Sequence, residues 1–189
     1  VDQKRLFWAI TLPDNIKRKI FGLQSRLREI PSDVKWVEQQ NFHLTLKFLG
    51  DIPAGQTGRI IQAVEREIVG TGVFSLELAG MGFFPGPSRP KVIWIGIRGE
   101  LVKFRHLHEK VEEAMAVLGY TDHNNRFSPH LTLGRFRSAG GSIELVKRAN
   151  ALAGEIENIN KITVDSVNLI ESHLTRKGPI YTTLVTLRL

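Results

Sequence analysis

Two identical tetrapeptides, His43-Leu44-Thr45-Leu46 and His130-Leu131-Thr132-Leu133, hold the residues of this chain best suited to chemistry. Side chains on an extended strand alternate between faces. In each copy His and Thr therefore share one face and the two leucines share the other. The leucines suit packing under helices, which leaves an imidazole and a hydroxyl on the opposite face. Two such strands facing each other across a cleft would converge two imidazoles and two hydroxyls. Phosphodiester hydrolysis without a metal needs those groups. A base takes a proton from water, an acid protonates the departing oxygen on the far side of phosphorus, and neutral donors hold the non-bridging oxygens. Histidine titrates near neutral pH, so one imidazole can start neutral and the other charged. Threonine hydroxyls can donate to phosphate oxygens. A single His-x-Thr is more often a solvated sheet face; the identical second copy points to a site. A metal centre fits less well, because neither histidine has a second His or a carboxylate two or four positions away on its own face.

Both copies must sit on strands, and the surrounding pattern supplies them. Arg5–Leu12 reads as a buried first strand. Ile16, Ile20, Leu23, Leu27 and Ile30 follow at helical spacing until Pro31. Val34–Val37 and Phe42–Leu49 read as strands, with a turn at Gly50, Asp51 and Pro53. Ile60, Ile61, Val64 and Ile68 mark a second helix. Phe74–Phe84 and Lys91–Ile97 read as a hairpin with a long Pro85–Pro90 loop. Leu101–Leu118 gives a third helix, ended by Gly119. The polar loop Thr121–Pro129 leads into the strand His130–Phe136. A short helix over Ile143–Leu152 and two strands, Ile162–Ile170 and Ile180–Leu189, complete the chain. Strands in neighbouring groups with helices between them favour α+β with antiparallel sheets over a doubly wound parallel sheet.

The 189 residues suffice for one cored domain, and no linker divides them. With no cysteine, disulfides, thiolate zinc sites and cysteine nucleophiles are excluded. Lys plus Arg number 26 against 19 Asp plus Glu, a net charge of +7. A basic balance of this size suits anionic partners such as nucleic acid or phosphorylated metabolites. No stretch reaches the roughly 18 apolar residues of a membrane span. The apolar run Leu6–Leu12 is too short and interrupted for a signal peptide, so no membrane partner and a cytoplasmic location are expected.

The paired motifs resemble the two signature motifs of the 2H phosphoesterase superfamily, and within it the RNA 2′,3′-cyclic phosphodiesterases, also called 2′-5′ RNA ligases. The likeness extends to Trp36-Val37, Asn41-Phe42 before the first motif, Lys47-Phe48-Leu49-Gly50 after it, and Val92-Ile93-Trp94. It continues in Phe127-Ser128-Pro129 and Gly134-Arg135 around the second motif, then in Leu174 and Gly178-Pro179-Ile180-Tyr181. The resemblance implies one domain over 1–189: a bilobal α+β fold of two antiparallel sheets, pseudo-twofold about a central cleft, with helices on the outer faces. It implies hydrolysis of an RNA-terminal 2′,3′-cyclic phosphate to a 2′-phosphate with no metal or other cofactor. RNA 3′ ends, tRNA fragments among them, would be the partners, and 2′-5′ ligation the reverse reaction. A monomer is expected, though the sequence leaves the oligomeric state open. His43, Thr45, His130 and Thr132 carry over directly, with His130 as base and His43 as acid.

Three more residues are candidates for substrate binding. Arg135 could hold phosphate or stack on a base, against an equal reading as a surface arginine. Phe48 could stack on the terminal base. Parity groups it with Leu44 and Leu46, so core packing is expected unless the strand bends. Lys47 has the parity to join His43 in the cleft. His106, His108, His123 and His173 gain no role from the sequence; His106 and His108 stand two apart on a helix and do not face each other. Arg176 and Lys177 either extend a basic rim or are simply solvated. The competing readings are an RNA-end binder without turnover and a phosphodiesterase for a small cyclic nucleotide.

Overall fold

The computed structural model describes residues 2–121, 126–159 and 161–189. Their strands are β1 (Gln3–Thr11), β2 (Val34–Trp36), β3 (His43–Pro53), β4 (Phe74–Phe84), β5 (Val92–Gly99), β6 (His130–Phe136), β7 (Ile162–Val164), β8 (Ser166–Thr175) and β9 (Gly178–Arg188). The helices are α1 (Asp14–Arg28), α2 (Thr57–Ile68), α3 (Leu101–Val117) and α4 (Ser142–Leu152). One sheet runs in the order β3-β1-β8-β9 and the other β2-β6-β5-β4-β7, with antiparallel neighbours throughout. The α+β expectation holds.

One arrangement occurs twice. The order β1–α1–β3–α2, with short β2 inserted, returns as β5–α3–β6–α4. In each half the histidine strand pairs with the strand that precedes the helix, β3 with β1 and β6 with β5. Helices pair across the halves, α1 against α4 and α2 against α3.

The amphipathic patterns account for the layering. Ile16, Ile20, Leu23 and Leu27 line the inner face of α1; Asp14 in its first turn and Arg26 and Arg28 in its last oppose the helix dipole. Leu44, Leu46, Leu131 and Leu133 enter the same core as these residues, together with Ile60, Val64, Phe104 and Leu107. Each such buried leucine contributes about 1.5–3 kcal/mol. The motif leucines thus fix the backs of the histidine strands against helices and leave the opposite faces for a site.

Three boundaries differ most from the sequence pattern, and in one of them β8 runs on to Thr175, past the expected end at Ile170. The turn expected at Gly50–Pro53 is strand: β1 begins at Gln3 and pairs β3 as far as Pro53, past a bulge where Gly50 takes the left-handed conformation (φ 76°). The single strand expected over Ile162–Ile170 breaks at Asp165. Residues before it pair with β4, and those after it pair with β1 and β9. Apolar alternation changes phase there, from Ile162 and Val164 to Val167 and Leu169, a shift that a bulge within one continuous strand would also give.

Candidate active site

Strand register slips by one residue at the same place in both motifs. Thr45 pairs with Ala9 and Lys47 with Trp8, leaving Leu46 as the extra residue; Thr132 pairs with Trp94 and Gly134 with Ile93, leaving Leu133. A one-residue bulge reverses the alternation beyond it. His and Thr therefore keep the cleft face, and the residues past each bulge change sides.

This overturns two parity arguments. Lys47, expected beside His43 in the cleft, is 3 % exposed. Its Nζ donates to Glu112 Oε2 on α3 at 2.6 Å. Phe48, expected in the core, is 66 % exposed and lines the cleft. Arg135 stands in the equivalent place on β6 and also lines the cleft, in register with Lys35 of β2.

The cleft encloses about 330 Å³ and is lined by both sheets. His43, Thr45, His130 and Thr132 all face it, so the structure brings the four motif residues together. The two imidazoles are held alike. Nδ1 of His43 bonds the Asn41 carbonyl at 2.7 Å, and Nδ1 of His130 bonds the Ser128 carbonyl at 2.7 Å. A carbonyl only accepts, so each Nδ1 carries the proton and each Nε2 is left to give or take one. Thr45 Oγ1 donates to His43 Nε2 at 2.9 Å. Loss of surrounding water lowers the His43 pKa; the Asn41 carbonyl opposes this, and the positive charge of Lys17, with that of His130 when it is protonated, adds to it. His43 thus favours its neutral form in the free protein.

Aromatic rings brace both histidines. Phe7 lies 5.0 Å from the His43 ring, and Tyr181 meets the same ring edge-on at 5.5 Å. Phe84 meets the His130 ring edge-on at 5.0 Å. A smaller cavity of about 170 Å³ adjoins the cleft through Thr45, Phe48 and His130 and reaches His108 and Phe127. Among the described residues no three side chains of the metal-ligating types cluster.

The sequence model for LigT-like phosphoesterases matches residues 10–94 and 99–181. The chain belongs to the LigT-like phosphoesterase family. An RNA 2′,3′-cyclic phosphodiesterase of Aeropyrum pernix is 36 % identical over 154 residues, 80 % of this chain and 84 % of that protein. One from Methanothermobacter thermautotrophicus is 32 % identical over 98 % of each. Among solved structures, Escherichia coli LigT complexed with 3′-AMP superposes with a TM-score of 0.75 at 25 % identity, covering 100 % of this chain and 99 % of that one.

Two residues of this phosphoesterase escaped the sequence reading. Tyr181 was visible only as part of a characteristic C-terminal segment, with no role attached. The structure sets its ring against His43 and Phe7. Burial raises its pKa, opposed by the Arg135 charge. Asn41 explains that placement, because its Nδ2 donates to the Pro179 carbonyl at 3.0 Å and ties the entry to β3 to the start of β9. Lys35 and Lys177 join Arg135 along the cleft. His108 lies on the inner side of α3, 3.7 Å from Glu112, while His106 is exposed. His173 is exposed on β8, and His123 lies outside the described residues. No helix among the described residues is long and apolar enough to cross a membrane.

Proposed function

We propose that this phosphoesterase hydrolyses the 2′,3′-cyclic phosphate at RNA 3′ ends to a 2′-phosphate, with His43 and His130 as its acid–base pair and no metal. The observation that carries the reading is the matched geometry of the histidines: each Nδ1 is tied to a carbonyl two residues back, and both rings line one cleft. The names of the relatives supply the substrate class. The cationic side chains of Lys35, Arg135 and Lys177 along the cleft suit a polyanion.

Water attacks phosphorus and gives its proton to the Nε2 of one imidazole. The P–O3′ bond breaks in line, and O3′ takes a proton from the Nε2 of the other imidazolium. The products are a 2′-phosphate monoester and a free 3′-hydroxyl. The Thr45 and Thr132 hydroxyls donate to non-bridging oxygens, whose charge grows in the transition state. With His130 as base, His43 must be protonated before O3′ departs. Its pKa is lowered in the free protein, so the substrate's own negative charge, placed beside Nε2, must favour the imidazolium. Phe48 and Arg135 hold the terminal nucleoside by stacking and charge. The same steps with an RNA 5′-hydroxyl in place of water give a 2′-5′ linkage: the attacking hydroxyl passes its proton to the base, and O3′ leaves as the free 3′-hydroxyl.

Turnover of an RNA oligonucleotide ending in a 2′,3′-cyclic phosphate, with EDTA present, tests the reading. Wild type should yield the 2′-phosphate. His43→Ala and His130→Ala should each lose about 10²–10⁴-fold, as expected for removal of a general acid or base. A folded wild-type protein that leaves this RNA and short cyclic nucleotides intact is a binder. Activity on cyclic nucleotides alone makes the substrate a small molecule.

A further inference from the structure

We propose that Gln24 of α1 and the Lys47–Glu112 pair are positioning residues, each tying the bulge of one histidine strand to a helix of the opposite half. The proposal rests on the reaction above and adds the residues that keep its two strands in working register.

The bulged Leu133 has a carbonyl outside the regular ladder. Gln24 Nε2 donates to it at 3.0 Å, and Val37 N donates to it at 2.9 Å. The same Nε2 donates to the Val37 carbonyl at 2.8 Å, so one amide bridges the β2 end to the bulge of β6. Gln24 is fully buried on a helix face otherwise made of Ile16, Ile20, Leu23 and Leu27. A leucine would pack there without the cost of burying an amide. The two directed bonds are what the amide adds.

The other bulge has a counterpart of different chemistry. Lys47 directly follows the bulged Leu46, its side chain is 2 % exposed, and its Nζ reaches Glu112 of α3 at 2.6 Å. The ammonium end of this pair is buried and the carboxylate end partly exposed; such a pair adds little stability over an apolar pair of the same volume, and what it adds is direction. Both ties cross between halves: α1 of the first half reaches β6 of the second, and α3 of the second reaches β3 of the first. Each bulge sets two cleft residues at once, Thr45 and Phe48 on β3, Thr132 and Arg135 on β6. Loss of a bulge would move one residue of each pair off the cleft face.

The test compares Gln24→Met with the double variant Lys47→Met/Glu112→Leu, which keeps the volume of the pair with no buried charge. Steady-state kinetics on the cyclic-phosphate RNA are read with melting temperature and calorimetric affinity for a nucleoside 2′-phosphate. Each variant should stay folded and lose on the order of 10–100-fold in kcat/KM, the scale of a small misplacement of catalytic groups. The Gln24→Met loss should shrink in a Thr132→Ala/Arg135→Ala background and persist in Thr45→Ala/Phe48→Ala. The double variant should show the reverse. Folded variants with wild-type kinetics, or equal losses in both backgrounds, overturn the proposal. If Gln24→Met does not fold, the double variant alone decides. If wild type turns over no cyclic phosphate, the reaction reading fails, and the same comparison made on 2′-phosphate affinity still judges the ties.

Discussion

Phe48 and Arg135 hold equivalent places on the two histidine strands, each turned into the cleft by a one-residue bulge two positions before it. A ring and a guanidinium plane so placed can both stack on a nucleobase, an interaction worth about 1–3 kcal/mol per base. Phe48→Ala and Arg135→Ala should therefore raise KM roughly tenfold while kcat changes less, and Phe48→Trp should retain affinity. Kinetics on cyclic-phosphate RNA check this. A loss confined to kcat would place these residues at the phosphate and not at the base.

The pH dependence follows from the direction of the His43 shift. A lowered pKa means that His43 is more than half neutral at pH 6.5 in the free protein. An acid must be protonated, so kcat/KM, which reports the free enzyme, should fall as pH rises through that lowered value. Bound substrate places negative charge beside the ring and raises its pKa, so the alkaline limb of kcat should lie at higher pH. NMR titration of His43 with and without a nucleoside 2′-phosphate measures the two states directly. If the acid limb of kcat/KM, and not the alkaline limb, follows the His43 pKa measured by NMR, the roles are reversed and His43 is the base.

The sequence carried the four motif residues because His-x-Thr alternation is local to three residues of strand and needs no knowledge of the partner strand. It misplaced Lys47 and Phe48 because a bulge belongs to the register between two strands: Leu46 is extra only relative to Trp8 and Ala9. The Asp165 crossover shows in the sequence only as a phase change from Ile162 and Val164 to Val167 and Leu169, which does not say that the chain passes to the other sheet. Gln24 has no signal in the sequence beyond being one polar residue within a helical stretch; that it lies on the inner face and reaches Leu133, far along the chain, is tertiary information. Tyr181 touches His43 only because β9, β8, β1 and β3 are neighbours in one sheet, an order that hydrophobic pattern does not encode.

Tyr181 should act through its ring. It meets His43 edge-on at 5.5 Å and Phe7 at 5.0 Å, and such pairs are worth about 0.5–1.5 kcal/mol beyond area burial. Tyr181→Phe keeps both contacts and should keep kcat. Tyr181→Ala removes them, loosens the imidazole and should lower kcat with the fold intact. Should Tyr181→Phe prove as impaired as Tyr181→Ala, the hydroxyl itself contacts substrate.

Gly134 tests how tightly the Arg135 wall is built. It follows the β6 bulge and pairs with Trp36 of β2. A methyl group at this position would come within 2.6 Å of Val34 Cγ1 and 3.1 Å of Trp36 Cε3. Real side chains do not pack that closely, so β2 must shift outward, at a cost of about 1–3 kcal/mol. Trp36 and Lys35 line the same cleft as Arg135, so the shift reaches the substrate wall. Gly134→Ala should lower the melting temperature and raise KM together. Position 47, the counterpart on β3, carries a lysine because its side chain has α3 and Glu112 to meet; Lys47→Gly should create a cavity and not a clash. A Gly134→Ala protein with unchanged KM and stability would mean that β2 yields freely, and that the Arg135 wall is shaped by β5 alone.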